Sequence, residues 1–401
     1  MLSVLNRGLL YVLTALLLVW MGSLAGLFDA ADGLLYDRLT HLSISKKDKE
    51  IHVVMVEVDN DGELSDPDDW LLLLDSLVKL GSSQIVFTYF PDSADARFYQ
   101  RARQLGQVWF GRTLNSREID DDDIYMTEWP PTVGAEPLPY GVMSLPQADV
   151  GIYRRALVRV MVEGESQPTL EVAAAAGLGV PVESLPNTPF LVNFNHGRDW
   201  LPRVGVQRVL DNGLIPELMV GRSVVIGPAA APDRTGLHTP VNHDDEAMPW
   251  HEFQAYTLAS LLADTVIRNL NMAWLAVLLF IVTVLNLVVC QWMGALNVGR
   301  FTAGMTVAYL LTGWTMLHFM HLWIPVIELI TIQILSSVLI SRYKLNQSEQ
   351  ALRKMVLDSM SRFHERLRPN YFYDSPEYMS HVVRMVDQSL NLSRLIFLEK
   401  V

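Results

Sequence analysis

Cysteine is nearly absent from this sequence, since Cys290 is the only one among 401 residues. A framework of intramolecular disulfides is therefore excluded, and cysteine usage does not indicate the compartment. A net positive charge is also missing: the formal charge is −13, which makes nucleic acid a poor partner for the chain. No P-loop, Gly-x-Ser-x-Gly elbow or ordered catalytic triad occurs, so the chain is predicted to carry no catalytic residue and no cofactor of its own.

Long apolar runs are what this sequence has in excess, and hydrophobic residues make up 50% of it. Four runs, each about 20 residues long, are predicted to cross the ~30 Å hydrocarbon core of a membrane. Inside lipid the backbone must satisfy its own hydrogen bonds, so each run is predicted to be a helix. The predicted spans are Gly8–Phe28, Met272–Trp292, Phe301–Met320 and Leu322–Ser341.

Basic residues flank the predicted spans in a pattern that sets their orientation. All four cationic flanks fall on one side if both termini are cytoplasmic, while Asp29 and Asp32 fall on the other. We therefore predict a multi-pass protein of the bacterial inner (cytoplasmic) membrane, with its large polar region, residues 29–271, outside the cytoplasm. The cationic flanks are Arg7, Arg300, Arg342 and Lys344.

Residues 29–271 are long enough to bury a core of their own, and strand patterns alternate with helix patterns in their first half. This alternation predicts an α/β domain with a parallel sheet. The predicted strands are Ile51–Val58, Gln84–Phe90, Gln107–Thr113 and Ser223–Gly227. The predicted helices are Asp29–Thr40, Trp70–Leu80, Ser93–Leu105 and Trp250–Ile267. The first is predicted to continue outward from the first span, and the last to run almost directly into the second span. Asp68 or Asp69 is the predicted N-cap of Trp70–Leu80.

Several short segments of this region occur in an informative order. They are Tyr36-Asp-Arg38 after the first span, Val53–Asp59 with its acidic strand end, Trp70 at the first helix, Val224-Val-Ile-Gly227, Asp233, Thr239-Pro240, and the last helix with Pro249, His251 and Leu261-Leu262. With the three closely spaced spans behind them, residues Asp29–Ser341 resemble the type-two CHASE sensory domain and its membrane region. That resemblance implies a bacterial transmembrane receptor whose output is a histidine kinase, a nucleotide cyclase or a diguanylate cyclase.

Residues 342–369 are rich in helix formers and are predicted to form a signalling helix in a parallel coiled coil. The alternative is an amphipathic helix that packs on its own domain. Residues 370–401 resemble the incomplete start of a GAF domain, so we expect the 401 residues to be the front part of a longer protein. The apolar positions that predict the coiled coil are Leu345, Leu352, Val356, Phe363 and Leu367.

Glu328 is the ionisable residue that stands out inside a predicted span, because a charge in lipid is costly and usually faces a partner. His318 or His321 could reach it from the preceding turn, which would form a polar clamp that biases signalling. The alternative is a hydrated glutamate at the membrane interface.

Two groups of acidic or histidine residues could be considered as metal ligands, but neither matches a known metal-binding motif. Asp59, Asp61 and Glu63 begin like a calcium loop, but the glycine and the terminal glutamate of that loop are missing. The spacing of the second group fits no zinc signature. Both groups are predicted to be solvated loops and no metal is predicted; the second group comprises His238, His243 and His251.

These observations predict an α/β extracytoplasmic sensory domain plus four transmembrane α-helices and a cytoplasmic signalling helix that forms a coiled coil. The predicted function is a homodimeric receptor for an unknown periplasmic ligand or protein, acting through a histidine kinase in a two-component system. ATP is the cofactor expected for the missing kinase domain, and a response regulator is its expected partner. The alternatives are a membrane-bound nucleotide or diguanylate cyclase receptor and a non-enzymatic membrane scaffold that binds a periplasmic partner.

Overall fold

The computed structural model divides the chain into two compact units, Met1–Val338 and Leu339–Val401, which are described separately. The residues it describes are 2–44, 50–59, 63–112, 114–115, 125–126, 138–143, 147–149, 151–162, 164–182, 185, 188–211, 213, 215–229, 236–242, 247–366 and 384. The predicted GAF-like start, residues 370–401, lies outside these residues apart from one helical position.

The described elements comprise helices and strands in the following order. The helices are α1 Leu2–Leu24, α2 Asp29–Ser43, α3 Pro67–Lys79, α4 Ala96–Leu105, α5 Leu170–Gly177, α6 Val206–Leu210, α7 Trp250–Leu262, α8 Met272–Trp292, α9 Ala295–Met320 and α10 Val326–Arg366. The strands are β1 Val53–Val58, β2 Gln84–Phe87, β3 Val108–Arg112, β4 Leu114–Asn115, β5 Tyr125–Met126, β6 Tyr140–Val142, β7 Gln147–Asp149, β8 Ile152–Ala156, β9 Arg159–Val162, β10 Glu165–Pro168, β11 Phe190–Leu191, β12 Arg203–Gly205, β13 Ser223–Pro228, β14 Arg268–Asn269 and β15 Leu322–Trp323.

A six-stranded sheet in the order β12-β1-β13-β2-β3-β6 forms the centre of the α/β domain. Every pairing in it is parallel, as predicted from the alternation of strands and helices. Strands β1 and β13 both lie inside the sheet and pair along six residues, from Val53 opposite Ser223 to Val58 opposite Pro228. Both are runs of β-branched residues, the sequence expected of parallel strands that are buried on both faces.

Helices cover both faces of this sheet. One face packs against α3, α4 and α6 through a cluster that includes the fully buried Trp70, which donates from Nε1 to Ser93 Oγ at 2.8 Å. The other face packs against α5 and α7 through a cluster that includes Phe194 and Tyr256. The α/β domain therefore has the covered parallel sheet that its sequence pattern requires.

The ends of several predicted helices were wrong, and two of the differences have clear local causes. The N-cap of α3 is Asp66, whose side chain accepts from Asp68 N at 2.9 Å, because Pro67 occupies the first helical position. Helix α7 ends at Leu262 instead of Ile267, and Asp264 follows with a positive φ of 50°. The chain then forms β14 before α8 begins, so α7 does not run directly into the next helix.

Two described helices are long and apolar enough to cross a membrane: Met272–Trp292, as predicted, and the Val326–Ser361 part of α10. Val12–Leu24 and Asp29–Ser43 add a third only if the pair, bent by 79°, is taken as one span. The bend overturns the prediction that α2 continues outward from the first span. The start of the last predicted span was also wrong, because Leu322 and Trp323 form β15 and the helix begins after Pro325.

In the second unit, α10 continues to Arg366 and presents apolar side chains to solvent. Leu345, Leu352 and Val356 are 64%, 47% and 56% exposed, and Phe363 lies on the same helix. Exposed apolar residues in one copy of the chain fit the expected coiled coil, which remains a prediction.

The close approach of β3 to its neighbours gives a prediction about stability. A Cβ at Gly111 would lie 2.6 Å from the Thr88 carbonyl oxygen and 2.7 Å from Met143 Sδ, so Gly111→Ala should lower the free energy of unfolding by about 1–3 kcal/mol. Gly205→Ala is the matched control, because nothing lies within 4 Å of its Cβ position and its φ is −68°. Urea unfolding of the detergent-solubilised chain measures both; equal effects would contradict the packing described for β3.

A buried carboxyl on α5 gives a prediction about pH. Burial raises the pKa of Glu171 from 4.5 to about 7, although its own backbone N–H and Thr169 act in the opposite direction. The folded state therefore binds this proton more tightly than the unfolded state does. Proton binding then stabilises the fold fully below pH 4.5, and this contribution to the free energy of unfolding is lost as pH rises from 4.5 to 7. Glu171→Gln should remove this loss, which is roughly 3 kcal/mol for such a shift.

Unfolding of wild type and Glu171→Gln at pH values on either side of this window tests the assignment. The gain from the substitution should be larger above the window than below it, and the exposed Glu165→Gln should show no such difference. A gain that does not vary with pH would contradict a buried, protonated Glu171.

Candidate functional site

Helix α2 lies at the junction between the α/β domain and the long apolar helices. Tyr36 is 1% exposed, donates to the Val192 carbonyl oxygen at 3.1 Å and meets the Trp323 ring edge-on at 5.3 Å. It belongs to an apolar cluster that also contains Leu317 of α9 and Ile267, which precedes β14. One aromatic residue thus contacts the domain, the segment before α8 and the α9–α10 connection.

A bidentate ion pair joins α2 to β8. Arg154 Nε lies 2.7 Å from Asp37 Oδ1, and Arg154 Nη2 lies 2.6 Å from Asp37 Oδ2. The guanidinium packs across Gly33, where a Cβ would lie 3.1 Å from it. Because the Arg154 side chain is 3% exposed, the pair is desolvated, and loss of either partner would leave a buried charge.

A second carboxylate of α2 binds the start of α10. Asp32 Oδ1 accepts from Ile327 N at 3.1 Å and so satisfies one of the N–H groups that a helix leaves unpaired at its first turn. The Asp32 side chain is also within hydrogen-bonding reach of the Glu328 carboxyl group. Ser23 Oγ at the end of α1 donates to Glu328 Oε1 over a long 3.4 Å. Elements α1, α2 and α10 therefore meet at one carboxyl pair.

Backbone hydrogen bonds connect the same elements by a second route. Leu191 of β11 exchanges two N–H···O bonds of 3.2 Å with Ile267. Strand β14 then pairs in parallel with β15, in the connection between α9 and α10. Since β11 also pairs with β8, strand pairing continues from the domain to the beginning of α10.

A cavity of about 270 Å³ opens where these contacts meet. Its polar wall carries carboxylates of α2 and α10 together with two arginines of β8. Its apolar wall comes from the starts of α8 and α10 and from β15. The residues that line it include Ser23, Asp29, Asp32, Tyr36, Arg154, Arg155, Leu270, Leu275, Trp323 and Glu328.

The sequence-predicted signalling residues do not all occupy this site. Glu328 lies in it, in the first turn of α10, and is 4% exposed. The ring of His318 stacks on Trp314 with centroids 5.5 Å apart. His321 ends α9 in the left-handed conformation, and its carbonyl oxygen accepts from Arg268 N at 2.9 Å. The contacts recorded for Glu328 are thus to α1 and α2, which the sequence did not indicate because about 300 residues separate them.

The helices contain a polar cluster that the sequence analysis also missed. Asn286 of α8 is fully buried and donates from Nδ2 to the Gln333 carbonyl oxygen at 3.2 Å and to Ser337 Oγ at 3.1 Å. Gln333 Nε2 in turn donates to Asn286 Oδ1 at 3.0 Å. Thr302 of α9 donates to Ser337 Oγ at 3.0 Å, so α8, α9 and α10 are joined by side-chain hydrogen bonds.

A charged cluster at the carboxyl edge of the sheet holds the start of α7. Glu252 is fully buried, makes an ion pair with Arg203 of β12, and lies 3.4 Å from Arg198 Nε. Burial raises the pKa of Glu252, whereas the adjacent His251 ring and then Arg203 hold the pKa of Glu57 below its ordinary value. These contacts hold the first turn of α7 against β12 and the residues before it, so we assign the cluster to positioning α7 within the domain.

Two of the residues weighed for metal binding, Glu63 and His251, make other contacts. Glu63 accepts from Asp92 N at 2.8 Å and Ser93 N at 3.0 Å, and so fixes the loop before α4. His251 Nε2 lies 3.9 Å from Glu57 Oε1. Within the described ranges, no three His, Cys, Asp or Glu side chains are grouped as metal ligands; Asp61 and His243 lie outside those ranges.

Comparisons with models of protein families, with curated proteins and with solved structures found no match for this chain.

The polar cluster in the helices gives a prediction about their packing. Asn286→Leu leaves the Gln333 amide and two serine hydroxyls without their shared partner, and should lower stability by about 1–2 kcal/mol. Thr283→Val is the matched control one turn earlier, since Thr283 is 1% exposed and its hydroxyl has no hydrogen-bond partner among the described residues.

Reversible unfolding of the solubilised chain with increasing sodium dodecyl sulfate, followed by helix circular dichroism, measures both variants. Thr283→Val should unfold like wild type or at a slightly higher detergent fraction. If Asn286→Leu behaves in the same way, the cluster does not join the helices.

Proposed function

We propose that the chain is the receptor part of a transmembrane signalling protein. In this proposal α1, α8, α9 and α10 cross the bacterial inner membrane, the α/β domain lies outside the cytoplasm and senses a ligand or protein there, and both termini are cytoplasmic. The residues that resemble a type-two CHASE domain support this assignment, with Tyr36 and Asp37 of that resemblance lying at the domain–helix junction.

The observation that carries the proposal is the position of α2. Its residues bind the domain through Arg154 and bind the first turn of α10 through Asp32. A rearrangement of the domain that moves β8 would therefore act on the start of α10 by short, buried contacts. Signalling then consists of a population shift between two arrangements of these helices.

Helix α10 supplies the route away from the domain in this proposal. It extends over 41 residues, and its second half carries the exposed stripe of Leu345, Leu352 and Val356. We propose that this stripe forms a parallel coiled coil in a homodimer. The output is proposed to be a histidine kinase that uses ATP and acts on a response regulator, in keeping with the GAF-like pattern of residues 370–401.

A disulfide cross-linking experiment tests whether the domain junction controls the signalling helix. The background is Cys290→Ser, which removes the only cysteine and keeps a hydrogen-bond donor to Asn286, and Leu352→Cys is added as the reporter. Asp37→Asn, which breaks the buried pair with Arg154, should change the rate of inter-protomer cross-linking in membranes about fivefold or more, the lower end of coupling between sites.

Asp75→Asn provides the matched control, because it breaks an exposed arginine–carboxylate pair with Arg101, which joins α3 to α4. It should leave the cross-linking rate unchanged. If Asp37→Asn also leaves it unchanged while the domain stays folded by circular dichroism, the junction does not transmit, and a scaffold function gains weight. If no cross-link forms at all, the coiled-coil dimer is wrong.

A further inference from the structure

The acidic side of the junction cavity contains a buried acceptor without a recognised donor. Asp32 and Glu328 are 7% and 4% exposed, and their carboxyl groups are within hydrogen-bonding reach of each other. Glu328 Oε2 is buried and has no donor among the described residues. An acceptor left in this state costs free energy, and a donor placed in the cavity would recover it.

The charge of the carboxyl pair is compatible with the same occupant. Two carboxyl groups in contact in a poorly hydrated site cannot both be ionised unless a proton or a cation lies between them. The nearby Arg154 already forms a bidentate ion pair with Asp37 through Nε and Nη2. Arg155 also lines the cavity, on β8, so a further cation is favoured only beside the carboxyl groups of α2 and α10.

Part of the cavity lining is aromatic. Tyr36 and Trp323 both line it and meet edge-on, with centroids 5.3 Å apart. Aromatic rings beside carboxylates attract organic cations by their electron-rich faces while they exclude water. A bare metal ion fits this wall poorly, and no described group of three metal-ligating side chains includes the pair.

We propose that the junction cavity binds a primary ammonium group, with Glu328 and Asp32 as acceptors and Tyr36 and Trp323 as the aromatic wall. A primary ammonium offers three N–H donors, which match the unpaired Glu328 oxygen, whereas a quaternary ammonium offers none. The ammonium could come from a small free amine or from an aminophospholipid head group, since the cavity lies where α1 ends and α8 and α10 begin.

Titration calorimetry of the full chain in maltoside detergent tests the site directly. Ethanolamine and choline are titrated at constant ionic strength. Ethanolamine should give a saturable isotherm and choline none. If ethanolamine gives no saturable binding, or if choline binds equally well, the proposal is overturned. The measurement does not depend on a signalling output. A negative result would therefore contradict the binding site without contradicting the proposed receptor function.

Substitutions assign the binding to the cavity. Glu328→Gln and Asp32→Asn should each weaken ethanolamine binding about tenfold or more, because each removes a charge-assisted hydrogen bond. Trp323→Leu should weaken it severalfold. Glu217→Gln, an exposed acid of the 3-10 helix Pro216–Leu218, is the control and should bind like wild type.

Thermal unfolding accompanies each variant, and only variants that unfold cooperatively near the wild-type midpoint are compared. If the acidic variants fail this criterion, Ser23→Ala, which removes the 3.4 Å contact to Glu328, is used with Trp323→Leu. Wild-type affinity in every folded cavity variant would overturn the assignment to this cavity.

Nanodiscs distinguish the two sources of the ammonium. In discs of phosphatidylcholine, free ethanolamine should bind as in detergent. If the head group is the natural source, discs that contain phosphatidylethanolamine should suppress this binding by competition in wild type. If the source is a free amine, the two isotherms should coincide. Binding in neither type of disc would overturn the proposal for the membrane-embedded protein.

Discussion

The first turn of α10 imposes the constraint on which the junction depends. A helix starts with N–H groups that its own backbone cannot satisfy, and where its first turn is buried they need partners from the protein. Asp32 satisfies one of them from another helix, through Ile327 N. The same turn places Glu328 where the positive end of the helix dipole favours a carboxylate. The need to cap α10 thus brings two acids into contact.

That contact requires α2 to turn away from α1. The two helices meet at an angle of 79°, and Gly26 lies in the turn with a φ of +69°, a conformation that other residues adopt only at a cost. With α2 turned, Asp32 meets α10, Tyr36 meets β15 and Asp37 meets β8. A straight continuation of the first span would have no reason to place these three side chains against three different elements.

The parts of the fold that could be predicted from the sequence are those set by local patterns. Strands β1 and β13 are β-branched runs, and α8 is an unbroken apolar run with the predicted bounds. The missed features depend on tertiary contacts. Leu322 and Trp323 have the hydrophobicity of a span, and only the pairing with Arg268 and Asn269 makes them a strand. Asn286 and Gln333 are polar residues in separate apolar runs, and the sequence likewise did not indicate that they would be hydrogen-bond partners.

Of the residues predicted from the sequence to take part in signalling within the helices, only Glu328 lies in the candidate site, because the rest of the site also depends on tertiary contacts. Glu328 stood out because an acid in an apolar run is costly, but the sequence offered His318 or His321 as its partner by proximity along the chain. The folded chain instead supplies Asp32 and Ser23 from its beginning. Distance along the chain is a poor guide here, since the first and last apolar helices of the unit contribute to the same junction.

The two polar centres among the long helices differ in a way that bears on movement. The Asn286–Gln333 cluster pairs amides and hydroxyls reciprocally in the gap between α8, α9 and α10, so separating those helices would leave several buried groups unpaired. The junction has an unpaired Glu328 oxygen, a long contact from Ser23 and an adjoining cavity. A rearrangement there exchanges contacts that are already incomplete, and an incoming donor would favour one arrangement over another. If this protein has two states of similar free energy, they should differ at the junction, and the helix cluster should move as a rigid part.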